Sequence, residues 1–268
     1  MRSAKSINGL LAAACLSALC LGSIGFGPAT GQVVGAQIGP IVQTGQNTTA
    51  SCSVPGALEG VDVNSNFGPI DWTQVAQTKA FAYARVSDGA TFTDTQFLNY
   101  YAGIRQAGMK AGAYLFFRPA QDPTQQANLL VRQLLRAGFA AGDLVPAIVL
   151  EVTDGRSSQQ IAGSLQTTVD VVKASLLVTP VIESGPTFLA WQTGSTAFAG
   201  NPLWIEYFSN NCPTPPLPWN DWAIWLYTDF GTVSGINMPV DLDRSHGATL
   251  PVYAGVLRSF LPLTLVSR

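Results

Sequence analysis

Apolar residues fill the stretch from Leu10 to Ile24 almost without a break, become sparse through residue 59, and then return as short, evenly scattered runs. From Gly60 these runs are GVDVN (60–64), AFAYARV (80–86), AGAYLFF (111–117), VPAIVLEV (145–152), TPVIES (179–184), PLWIEYF (202–208), WAIWLYT (222–228) and PVDLD (239–243). Each has the length and the β-branched or aromatic content of a strand. Between the early runs the apolar positions fall at helical spacing. DTQFLNYYAGIRQAG predicts a helix with Asp94 as its N-cap and Gly108 past its end. DPTQQANLLVRQLLRAG predicts a second, with Pro123 early in the helix and Gly138 past its end, and SSQQIAGSLQTTVDVVKAS a third. Strand, helix, strand with apolar strands means a mostly parallel sheet covered by helices. The expected fold class is α/β: an irregular TIM-like β/α barrel of about eight strands, with fewer helices in its second half, where the links are short.

The first apolar run has a different meaning. Arg2 and Lys5 precede it, and Gly25, Gly27 and Pro28 follow. This is the layout of a secretory signal peptide, placed at residues 1–31. The alternative, a membrane anchor, would need roughly 20 apolar residues, and the run has about 15. No stable membrane insertion is expected after cleavage, and the mature chain is placed outside the cell, in the periplasm or at the cell envelope. Residues 32–59, rich in Gly, Gln, Thr, Asn and Ser, form a flexible linker, residues 60–247 the barrel, and residues 248–268 an apolar tail that packs under the barrel or meets a partner. NTT at 47–49 fits an N-glycosylation pattern.

Composition narrows the classes. The chain has 268 residues, 47% hydrophobic and 11% charged, enough for a sizeable core and against general disorder. A net charge of −2 without a basic stripe excludes nucleic acid as a partner. Of four cysteines, Cys15 and Cys20 lie in the signal. Cys52 and Cys212 remain and most simply form one disulfide in an oxidising compartment, two buried free thiols being the alternative. The lone histidine, His246, is too little for a catalytic triad or a zinc site, so no metal and no cofactor is expected.

Candidate chemistry comes from carboxylates. In such barrels reactions occur at the C-terminal ends of the strands. Asp62 in the first run, Glu151 at the end of the fourth and Asp241 in the eighth meet that rule. The first and eighth strands are neighbours in a closed barrel, so Asp62 and Asp241 should be close, with Glu151 facing them. Paired carboxylates across a sugar-sized gap hydrolyse glycosides: one donates a proton to the leaving oxygen while another stays ionised. Burial beneath LVPAIVL would raise the pKa of Glu151 and suit it to the acid role. Tyr114, Phe116, Trp204, Tyr207, Trp225 and Tyr227 lie on the same strands and could stack on sugars. The plainer alternatives are packing for the aromatics, and helix capping or pairing with Arg85 or Arg244 for the acids. Asp88 and Asp154 lie in turns at the same end.

With these stretches in order, namely GVDVN then IDWTQV, FAYARVSDGATFTDTQF, AGMKAGAYLFFRPAQDPTQQA, GDLVPAIVLEVTDG, PVIESGPTF, PLWIEYF, WAIWLYTDFGTVSGI and PVDLD, the chain resembles glycoside hydrolase family 25, the Chalaropsis-type lysozymes, over roughly residues 58 to 247. The resemblance implies an irregular β/α barrel and cleavage of the N-acetylmuramic acid to N-acetylglucosamine bond of peptidoglycan. It implies Glu151 as proton donor, with Asp62 and Asp241 as supporting carboxylates. NCPTPPLPW looks like a variant branch, which by resemblance supports pairing of Cys212 with Cys52. Peptidoglycan glycan strands are the expected partner, and the chain is expected to be monomeric.

The chain departs from the family pattern near the site. The first acid of the family's Asp-x-Glu motif is Val149, and Leu115, Glu183 and Leu226 stand where polar or aromatic residues are usual. Valine neither accepts a hydrogen bond nor offsets positive charge, and losing one such group typically costs on the order of 10²–10³ in rate. Two functions therefore remain: a secreted muramidase, or a catalytically impaired barrel that binds cell-wall glycan.

Overall fold

The computed structural model describes residues 52–192 and 196–255. The expected signal peptide, most of the linker, the pattern at 47–49 and the end of the tail lie outside the described residues. The strands are β1 (Glu59–Val63), β2 (Phe81–Asp88), β3 (Phe92–Thr93), β4 (Lys110–Phe116), β5 (Ala147–Val149), β6 (Val181–Ser184), β7 (Leu203–Glu206), β8 (Ile224–Gly231) and β9 (Val240–Ser245). They form one sheet in the order β1-β9-β8-β7-β6-β5-β4-β2-β3, and β1 also pairs with β2, which closes it into a barrel. The short β3 folds back on the end of β2 and stands outside the ring. The eight predicted runs are the eight ring strands. Pairing is parallel from β1 through β2 and β4 to β8, but β9 is antiparallel to both β8 and β1.

Helices cover the first half. They are α1 (Trp72–Val75), α2 (Phe97–Gln106), α3 (Pro123–Arg136), α4 (Ser158–Leu176) and the short α5 (Pro186–Gln192). Asp122 caps α3 by accepting from the Gln125 N–H, and Ser157 and Gln160 make a capping box at α4. Asp94, expected to cap α2, does not, because Gln96 occupies that position without a side-chain bond. Asp94 is drawn inward instead. It accepts from the Ser65 and Gln96 N–H groups and pairs with Arg85 at 3.1 Å, so a buried ion pair displaces the capping role.

The closed sheet separates two cores. Its outer face packs on the helices through Val61, Ala82, Ala84, Ile148, Ile182 and Ile205, among others. Its inner face holds Phe81, Tyr83, Tyr114, Ala147, Val149, Val181, Trp204, Ile224 and Leu226. The period-two alternation of side chains along each strand produces this division. Small residues make room for the inner rings. A Cβ on Gly112 would lie 2.5 Å from the Tyr83 ring, and one on Gly60 would overlap Phe81.

Two devices tie the chain ends to the barrel. Cys52 and Cys212 form a disulfide, and the Cys52 N–H donates to the Asn210 carbonyl at 2.7 Å. The last residues of the expected linker are therefore held in place. At the opposite end of the chain, Val145 N–H donates to Pro251 O, and Tyr253 exchanges hydrogen bonds with Gly142 and Asp143, all at 2.7 to 2.9 Å. Tyr253 stacks on Phe139 and Leu250 packs against the inner core. The described part of the tail thus forms a floor under the barrel.

The inner packing gives a test. Gly112→Ala should lower stability by about 1–3 kcal/mol through overpacking against Tyr83. Gly163→Ala on α4, where a Cβ meets nothing within 4 Å, should be neutral or stabilising. Urea unfolding of the two variants checks this, and equal midpoints would contradict the packing described.

Candidate active site

Asp62 and Asp241 are direct register partners on β1 and β9. Asp241 lies at the start of its strand, not at the C-terminal end as expected. Because β9 is reversed, its start reaches the same mouth as the C-terminal ends of the parallel strands. Asp62 is buried, and its Oδ2 has no hydrogen-bond partner. Burial first, and then the nearby Asp241, Asp243, Glu151 and Glu206, push its carboxyl well above the usual range. Glu151 follows the C-terminal end of β5, so it lies at the same end of the barrel as Asp62 and Asp241.

Glu151 itself differs from expectation. Residues 144–150 are all buried, but β5 ends at Val149 and Glu151 emerges beyond it exposed to solvent. The apolar run ends one residue before the acid, so the expected burial of Glu151 is not found. Deep burial falls instead on acids that sequence reasoning missed. Glu183 on β6 pairs in register with Val149 on one side and Trp204 on the other. It is 1% exposed, and neither of its carboxylate oxygens has a hydrogen-bond partner. Burial, then Glu151, Glu206, Asp62 and Asp243, raise its pKa strongly. Carboxylate oxygens of Glu151, Glu183 and Glu206 all lie within 4.8 Å of one another. Such crowding is relieved by protons or by a bridging cation, and the depth of Glu183 favours protons. Asp243 is also buried and pushed up, by burial and then Asp241, against a 2.9 Å hydrogen bond donated by Trp204 Nε1. The signal for all three was the same alternation: Val181 to Glu183, Trp204 to Glu206 and Asp241 to Asp243 are two-residue steps along the inner face.

A hollow of about 370 Å³ opens at this mouth between Glu151, Glu206 and the start of α5, with Phe188 on its wall. A larger one, about 840 Å³, lies at the opposite end beside Glu59, Lys79 and Lys110, away from the acid cluster. The aromatic candidates divide. Tyr114 and Phe116 lie on the inner face of β4 toward the mouth, with the Arg118 guanidinium 4.8 Å from the Phe116 ring centre. Trp204 and Trp225, at 1% and 2% exposed, are enclosed in packing, as is the ring of Tyr207 in part. Trp225 Nε1–H donates to Tyr207 O at 2.7 Å, and the Tyr227 hydroxyl donates to Glu59 at 2.7 Å under the Arg244 guanidinium. These four follow the packing alternative. Arg85 pairs with Asp94 and Arg244 with Glu59. Arg118 holds both Asp88 and Asp154, so these turn acids are tied to a cation. His246 sits beyond the far end of β9, 2.9 Å from Asp221.

The three buried acids set a pH dependence. Asp62, Glu183 and Asp243 have folded-state pKa values above those of the unfolded chain. Above about pH 4 the folded protein binds more protons than the unfolded one, so stability falls as pH rises toward the folded values. Melting temperature should therefore decline between about pH 4.5 and about pH 8, and Asp243→Asn should flatten the decline. Thermal unfolding at a series of pH values measures both, and a melting temperature that rises over that range would contradict the assignment.

Comparison with known proteins agrees with this geometry. The chain is 29% identical over 189 residues to the autolytic lysozyme of Clostridium acetobutylicum, covering 70% of this chain and 55% of that protein. It is 26% identical over 211 residues to lysozyme M1 of Streptomyces globisporus, covering 74% of this chain and 70% of that one. Among solved structures, the bacterial lysozyme of Streptomyces coelicolor superposes with a TM-score of 0.66 at 26% identity, over 72% of this chain and 93% of its own. Residues 61–236 match the family described as Glycosyl hydrolases family 25, and the chain, with a barrel mouth lined by acids, belongs to that family.

Proposed function

We propose that the protein is a lysozyme-like glycoside hydrolase that acts at the cell envelope and cleaves the N-acetylmuramic acid to N-acetylglucosamine bond of peptidoglycan. The observation that supports this is the register pairing of Asp62 with Asp241 at the end of the barrel where β5 runs out toward Glu151. Glu151 is solvent-accessible and acts as general acid, giving its proton to the glycosidic oxygen as the bond breaks. Asp62 and Asp241, side by side on neighbouring strands, support the positive charge that develops at the sugar carbon. Burial and the neighbouring Asp241 raise the Asp62 carboxyl well above the usual range. Tyr114 and Phe116 are the aromatic groups placed to meet a sugar ring. The expected signal peptide and the Cys52–Cys212 disulfide support export to an oxidising compartment.

Val149 favours a second reading, a barrel that binds wall glycan without cleaving it. Its apolar side chain stands in the inner core beside the acids and can stabilise no charge. Release of dye from labelled, purified cell walls separates the two. The expected result is release by the wild type and a loss of at least about a hundredfold in Glu151→Gln. Equal inactivity of both proteins, with both sedimenting alongside the walls, would favour the binding reading. In that case Val149→Asp should restore release.

A further inference from the structure

We infer that Glu183 is the hydrogen-bonding partner that positions and tunes Glu151, supplying from the adjacent strand the carboxyl group that position 149 lacks. This rests on the proposed role of Glu151 and deepens it. The first observation is register. Val149 and Glu183 are direct partners across the β5–β6 pairing, and both side chains face the barrel interior. A carboxyl group at 183 therefore occupies the space next to the one that a carboxyl at 149 would fill. The second is the state of the side chain. Glu183 is 1% exposed and both of its oxygens lack a hydrogen-bond partner. An ionised carboxylate left so would be very costly, whereas the neutral acid needs only one acceptor for its proton.

The third observation is what surrounds it. The neighbouring charges that act most on Glu183 are the acids Glu151 past β5, Glu206 on β7, Asp62 on β1 and Asp243 on β9. Asp241 adds a further acid at the same mouth, opposite Asp62. Arg85, the cation on the inner side of β2, is committed to Asp94. The neighbourhood therefore keeps Glu183 protonated and offers carboxyl oxygens to receive its hydrogen bond. Of these, Glu151 is held nearby by the backbone: Leu150 N–H donates to the Glu183 carbonyl at 2.9 Å, and the Ser184 hydroxyl donates to the Leu150 carbonyl. With oxygens of the two acids within 4.8 Å, a rotation about the Glu151 side chain or one bridging water completes the link.

The chemistry balances without another reactant. Before reaction Glu151 carries a proton and Glu183 carries its own. Glu151 gives its proton to the leaving oxygen as the glycosidic bond breaks, and the new Glu151 carboxylate accepts a hydrogen bond from the Glu183 hydroxyl. When water adds, Glu151 takes back a proton. Glu183 keeps its proton throughout and never touches substrate, so it is a positioning residue. It gives an exposed acid a partner that tunes when it holds its proton, a task that burial of Glu151 itself does not perform.

The test uses the full protein and two readouts. Infrared difference spectra at neutral pH should show the carbonyl band of a protonated carboxyl group in the wild type. One component of that band should be lost in Glu183→Gln and should shift in Glu151→Gln, while the components from Asp62 and Asp243 remain. In the wall-release assay, Glu183→Gln should displace the alkaline limb of the kcat/KM profile by about one pH unit, about tenfold in rate above the limb, with KM nearly unchanged. Melting curves establish that the variant is folded, and Glu183→Asp should retain part of the wild-type profile. If the wild type releases no dye but the Glu183-dependent component is present and shifts in Glu151→Gln, the hydrogen-bonded pair stands and the hydrolase reading falls. If the wild type is active and Glu183→Gln has the same profile and the same band, the pairing is overturned while the hydrolase reading survives. Stabilisation of the wild type, but not of Glu183→Gln, by micromolar magnesium, calcium or manganese would also overturn it, because a cation would then hold the carboxylates together.

Discussion

The reversal of β9 fixes where its two acids, Asp241 and Asp243, meet those of the parallel strands. Seven ring strands run one way, and a parallel eighth would carry its residues 241 and 243 in the opposite order between floor and mouth. Running against both neighbours, β9 sets Asp241 beside Asp62 and Asp243 beside Gly60. Closure then prevents adjustment. A strand bonded on both edges cannot slip by one residue without turning its inner side chains outward, and here those side chains are carboxylates and aromatic rings in contact. Trp204 shows the fit: its ring lies 4.7 Å from Tyr83, and its N–H reaches Asp243.

That arrangement gathers acids where few cations reach. Desolvation is the first cause of the raised pKa at each of Asp62, Glu183 and Asp243, with neighbouring charge second. The barrel thus holds neutral acids at depth and leaves Glu151 and Asp241 nearer solvent. The division of labour reverses the simplest expectation for a proton donor. Glu151 reaches the opening because its strand ends early, and the low-dielectric environment belongs to the residue behind it.

Much of the fold was legible. Eight short apolar runs separated by helical spacing became the eight ring strands, and Pro123 and Ser157 marked helix starts through local capping chemistry that needs no tertiary context. Asp94 was misplaced because its competing partner, Arg85, lies on a different element and is brought near only by the closed sheet. Asp62 and Glu151 were legible as acids at or just past the C-terminal ends of parallel strands, whereas Asp241 was legible as an acid of the last strand but the direction of that strand was not. Glu183, Glu206 and Asp243 were not, because alternation reveals the inner face only when the strand's phase is known. VIES and LWIE are too short to set that phase by themselves. The depth of Glu151 was misjudged for a related reason: an apolar run reports that a strand is buried, not where its last hydrogen bond falls.

The floor made by residues 250–253 has a consequence for polymers. The inner core is filled from Phe81 and Ile224 upward, and Leu250 closes it from below. Among the described residues the barrel interior is filled, so a long saccharide would reach the acids across the rim and not through the barrel. It can only lie across the rim, and anything cut there leaves by the opening it arrived through. For the hydrolase proposed above, such a rim would not require a free chain end.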